Sequence, residues 1–156
     1  MNEETGQDQL DEVQSQVADY EPLSGANRRL SDAIVAHAGH PDAWAKRLEK
    51  AVRDVAAAFQ HHFEVAEGPD GHLHQIVDMS PSLIPKVTKQ RHEHDELLVM
   101  VNHLADHIAE MGDLDTLLVE RFRLEAEVVH DAIHMHLARA ADLLFEAYFR
   151  DAGGEG

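Results

Sequence analysis

Apolar residues recur every three or four positions along most of the chain, the signature of helices that each bury one stripe. Leu23, Ala26, Leu30 and Ile34 form the first stripe, which stops at Gly39. Pro41-Asp42 opens the next helix, a favoured start because proline lacks the amide a first turn leaves unused. Its stripe of Trp44, Leu48, Ala51, Val55, Ala58, Phe59 and His62 predicts a helix from about Pro41 to Glu67, closed by Gly68-Pro69-Asp70-Gly71. A short helical piece over 72–80 bridges to Pro81 and Pro85. The third long helix is predicted over 86–110, with Val87, His94, Leu98, Val101, Ala105 and Ile108 inward. After the turn Met111-Gly112-Asp113, a fourth covers 114–150 with Leu118, Phe122, Val129, Ile133, Leu137, Ala140 and Leu144 inward.

No segment reads as a strand. Four helices joined by short turns predict an all-α, up-down-up-down four-helix bundle spanning 23–150. Residues 1–22 carry seven acids and no Lys or Arg, which reads as an acidic lead-in, flexible or loosely helical. Residues 151–156 read as a loose tail.

Charge narrows the partners. Thirty acids against 13 basic residues give a net charge of −17, a field that repels nucleic acid and anionic lipid. The longest apolar runs, VAAAF and LLVMV, are far too short to span a bilayer. The first ten residues show neither a basic nor an apolar signal region, so a cytoplasmic protein is expected. Cysteine is absent, which excludes thiolate chemistry, and no nucleophile elbow or phosphate loop is present. The chain has 13 histidines, as many as its lysines and arginines together. Imidazole and carboxylate without thiolate suit iron, manganese or zinc.

At about 100° of rotation per residue, each histidine can be placed on its helix. His62 and His94 lie about 20° from the centres of their stripes, while His130 and His136 lie about 60° to either side of Ile133 on the inner half of the last helix. Equal steps back and forward from the turn at Asp113 take His94 to Ala132, between His130 and His136. Three helices thus aim imidazoles at one level of the interior. Each buried imidazole needs a partner, and one metal ion serves several. His103-x-x-x-His107 has the spacing of a helical metal pair but rotates outward. His72 and His74 are expected to face solvent or cap the bundle.

Three segments carry a family resemblance: FQHHFEVAEGPDG, RHEHDELL and HDAIHMHLARAADLLFEAYFRDAGG. Together they resemble the hemerythrin-like, or HHE cation-binding, bundles, in particular a bacterial subgroup, over residues 23–154. The resemblance implies a four-helix bundle that holds non-haem iron, usually two ions, through histidines and bridging carboxylates. It also implies interaction with oxygen, nitric oxide or peroxide. By position it assigns His62, His94 and either His130 or His136 as metal ligands. The chain departs from the family at three places. The first helix has no histidine at the expected level, where Tyr20 or Glu21 could substitute. Ala66 stands where a carboxylate is expected, with Glu67 next door. Asp142 points outward.

Two functions follow as expectations. One is a mono- or dinuclear non-haem iron protein with a diatomic molecule or peroxide as ligand, whose only enzyme chemistry would be a redox reaction at the metal. The other is a metal-free four-helix bundle acting as an interaction or regulatory module.

Overall fold

The structure, a computed structural model, describes residues 2–150. It is all-helical: α1 (Asn2–Ala18), α2 (Glu21–Val35), α3 (Pro41–Glu67), α4 (His72–Met79), α5 (Ile84–Glu110) and α6 (Thr116–Phe145). A 3-10 turn at Pro81–Leu83 precedes α5, and a π turn at Glu146–Arg150 follows α6. Among the described residues there is no strand. None of the helices is long and apolar enough to cross a membrane.

Four helices form a closed ring of neighbours. The most extensive packing joins α2 to α3, α3 to α5, α5 to α6 and α6 to α2. The ends are set by local chemistry. Pro41 sits in the first turn of α3, and Asp115 caps α6 by accepting from the Leu118 amide at 2.9 Å. The corner between α2 and α3 is tied by Trp44, whose indole N–H donates to the Ala33 carbonyl at 3.0 Å. Arg123 of α6 stacks over that indole and donates to the last carbonyls of α2, at Ile34 and Ala36. A guanidinium there satisfies acceptors that the helix end leaves unpaired.

One correction concerns the start of the chain. Within the segment expected as a flexible or loosely helical lead-in, α1 (Asn2–Ala18) is a regular helix docked on the bundle, and α2 already begins at Glu21. Val13 is fully buried, and the Gln16 amide reaches Gln75 of α4 at 2.8 Å and the Tyr148 hydroxyl at 3.2 Å. At the other end helix continues to Arg150 as expected, as α6 to Phe145 and then the π turn Glu146–Arg150, and the tail expected over 151–156 lies outside the described residues.

The core has two apolar clusters with a polar layer between them. The larger is built on Leu30, Leu48, Val55, Phe59, Val101, Phe122 and Ile133, and the smaller on Val13, Tyr20, Ala66, Leu73, Ile76, Val87 and Leu144. Each long helix crosses from one to the other at a histidine. His62 separates Phe59 from Ala66 on α3, His94 separates Val87 from Leu97 on α5, and His136 separates Ile133 from Ala140 on α6.

Gly71 fixes the start of α4. Its amide donates to the Gly68 carbonyl at 2.8 Å, and a Cβ there would run into the Val65 and Ala66 carbonyls. Gly71→Ala is therefore expected to cost about 1–3 kcal/mol, seen as a lower melting temperature. Gly112→Ala, with open space around it, is the control expected to change little.

Candidate metal centre

His62, His94 and His136 converge in the polar layer. One ring nitrogen from each lies within 4.8 Å of the others, and all three side chains are buried. The ring centroids of His94 and His136 are 4.8 Å apart, and each is 5.5 Å from that of His62. Phe59 closes one side, with its ring 5.6 to 6.0 Å from all three.

Two imidazoles are held by carboxylates. His94 Nδ1 lies 3.2 Å from Glu67 Oε2, and His136 Nδ1 lies 2.8 Å from Glu93 Oε2. Each carboxylate also meets a half-exposed guanidinium, Glu67 that of Arg91 at 3.6 Å and Glu93 that of Arg139 at 2.8 Å. A charged carboxylate accepts the Nδ1–H proton, which leaves the lone pair on Nε2. Nε2 of His62 and Nε2 of His136 are buried and have no hydrogen-bond partner in the protein.

Burial keeps these rings neutral. Desolvation, helped by the neighbouring histidines, pushes His62 down to about 2 and His136 down to about 3. Burial also lowers His94, against the opposing pull of Glu67. Neutral imidazoles are the form that binds metals.

Of the residues singled out from the sequence, His62, His94 and His136 are brought together. His130 is not: it lies half-buried on the α2 side of α6, with its ring on Asp131 and its carbonyl accepting from Asn27 at 3.0 Å. Glu67 supports His94 rather than joining the cluster, and it does so from within a regular helix. Tyr20 is buried, its ring centroid 5.2 Å from that of His62 and its hydroxyl 3.4 Å from His72 Nε2. Burial pushes the Tyr20 phenol well up, so it stays protonated there. Glu21 is exposed and pairs with Arg28, and Asp142 is exposed as expected. His103 is exposed, while His107 is half-buried against Glu125 at 3.2 Å.

Two contributors were missed. His72, expected to face solvent or cap the bundle, is buried, and desolvation takes it down to about 4. Its sequence signal was the α4 stripe of His72, Leu73 and Ile76, the buried residues of that helix. Glu93 went unassigned, although it stands immediately before His94 and reaches the other helix. Tyr20, His62 and His72 line one cavity of about 260 Å³ with Asp19, His61 and Val65. A water-sized or diatomic molecule fits such a space.

Comparisons with family models, with curated proteins and with solved structures found no match to this chain.

Proposed function

We propose that this chain is a metal-binding helical bundle in which His62, His94 and His136 hold the ion. The reading takes the helices as an up-down-up-down four-helix arrangement of hemerythrin-like type. The observation that carries it is the pair of orphaned Nε2 atoms inside a buried three-histidine cluster. As mere packing, each would cost about 1–3 kcal/mol for an unsatisfied buried group. As donors to a cation, they are satisfied. The carboxylates behind His94 and His136 support the same reading, since metal-bound imidazoles commonly donate their other N–H to a carboxylate, which fixes the ring and raises its basicity.

The donor set, three neutral imidazoles with no thiolate, suits zinc or iron, and the hemerythrin-like reading favours iron, with zinc and manganese as alternatives. Three protein ligands leave coordination open, the arrangement of reactive rather than structural sites. Such an ion supplies Lewis-acid or one-electron chemistry toward a small ligand such as oxygen, nitric oxide or peroxide. The protein's own part is to keep the imidazoles deprotonated and oriented, and to admit a small molecule past Tyr20 and His72. Ala66 in place of a carboxylate, and the use of Glu67 and Glu93 behind histidines, favour one ion over two.

Metal analysis of the purified protein, with titration of ferrous iron and zinc into the metal-free form, tests this. One equivalent bound, with a rise in melting temperature, is expected. A folded protein that takes up neither ion would return the bundle to the metal-free interaction module.

A further inference from the structure

The outer face of α6 carries the most regular pattern of exposed apolar residues in the described chain. Leu117 is 80% exposed, Leu124 63%, Val128 60% and Met135 50%. At about 100° per residue these four fall within about 40° of one another, on the side of α6 away from its buried residues. The spacing between them is the heptad rhythm that helices use to pack on other helices. The two intervening positions of that rhythm are Arg121 and Asp131, with side chains 62% and 78% exposed.

The stripe is complementary to itself when reversed. A two-fold axis crossing α6 at the level of Ala126 sets Leu117 against the partner's Met135. It sets Leu124 against the partner's Val128, and Arg121 against the partner's Asp131. Each layer pairs apolar with apolar or positive with negative, and each is repeated on the other side of the axis, as an isologous contact requires. The stripe is about 27 Å long at 1.5 Å per residue. A parallel pairing would instead put Arg121 on Arg121 and Asp131 on Asp131, at the cost of two like-charge contacts.

We propose that this chain forms a homodimer through an antiparallel α6–α6 seam, with a second copy as the occupant of the stripe. Arg121 leaves its helical partner Glu125 for the Asp131 of the second copy, or bridges both carboxylates. The seam lies on the outside of the bundle, so it forms whether or not the histidine cluster holds an ion. Glu127 of each copy flanks the axis, and both chains are strongly acidic, so the contact needs salt near the physiological range to screen that repulsion.

The test is sedimentation equilibrium of the full chain at about 0.15 M salt, where the screening length is about 8 Å. The wild type is expected as a dimer at ~100 μM protein. Leu124→Glu with Val128→Glu is expected to raise the dissociation constant ~100-fold or more with unchanged helicity, because both sites are exposed in the single chain. Arg121→Asp alone and Asp131→Arg alone are each expected to weaken the dimer about tenfold, and the double reversal to restore it. A second measurement does not depend on those variants. The chain has no cysteine of its own, so Leu117→Cys mixed with Met135→Cys should oxidise to the mixed cross-linked dimer. A monomeric wild type, a dimer indifferent to Leu124→Glu/Val128→Glu, a double reversal no better than the singles, or cross-linking of Leu117→Cys only to itself would each overturn the seam.

Discussion

His94→Ala is expected to remove metal binding while His103→Ala leaves it intact. His94 is essentially fully buried and supplies one nitrogen of the cluster, whereas His103 faces solvent. Losing one of three protein ligands should lower affinity by at least ~100-fold, since even partners behind a ligand are worth 10–100-fold. The same substitution empties space beside Phe59 and Phe63 and leaves Glu67 without its imidazole. The metal-free protein should therefore also lose about 2–4 kcal/mol of stability. Glu67→Gln separates the two effects. It keeps the volume and an acceptor near Nδ1 but removes the charge, so it should lower metal affinity about tenfold with little change in metal-free stability. Calorimetric titration with zinc and metal content by elemental analysis read both. Retained binding in His94→Ala, or its loss in His103→Ala, would move the site away from this cluster.

Acid is expected to unfold the metal-free protein well before its carboxylates are exhausted. His62, His72 and His136 are held down to about 2, 4 and 3 by burial, and His94 is lowered with them. In the unfolded chain each returns to about 6.5. Between those values the unfolded state binds more protons than the native state, so stability falls as pH falls. The contribution is fully present above about pH 6.5 and is lost below it, at up to ~1.4 kcal/mol per pH unit for each histidine. A domain with ~5–15 kcal/mol in hand is exhausted within two to three units. Helicity followed by circular dichroism from pH 7.5 to 3.5 should show a cooperative loss with uptake of several protons. His72→Phe, which removes one of these groups, should shift the midpoint to lower pH. A melting temperature that stays flat from pH 7 to 4.5 would mean the rings are not buried as described.

The all-helical character and two of the three clustered histidines were legible in the sequence because helical rotation relates a side chain to its own stripe. His62 and His94 sit near the centres of their stripes and need no other information. His136 and His130 lie symmetrically about theirs, and a projection of one helix does not say which neighbour stands on which side. The ring order does: His136 turns toward α5 and Glu93, and His130 toward α2 and Asn27. The part Glu67 plays is not visible from its stripe for a related reason. Its backbone points well off the stripe, yet its long side chain at the end of α3 reaches His94 on the adjacent helix. The docking of α1 was hidden by charge. Leu10, Val13, Val17 and Tyr20 form a helical stripe that seven acids obscured, and its partners on α4 and beyond α6 are distant in sequence.

The layered core has a consequence for how the molecule breathes. Apolar contact holds each cluster together, while imidazoles, two carboxylates and the face of Phe59 fill most of the level between them, where Leu137 packs against both clusters. The smaller block, with α1, α4 and the end of α6, can then open as a unit while the larger one stays closed. Amide exchange should divide along that boundary, with α1 and α4 exchanging at a lower opening free energy than the stretches of α3 and α6 beside Trp44 and Phe122. A cation seated at the boundary would rivet the two blocks, and the two exchange classes would merge into one.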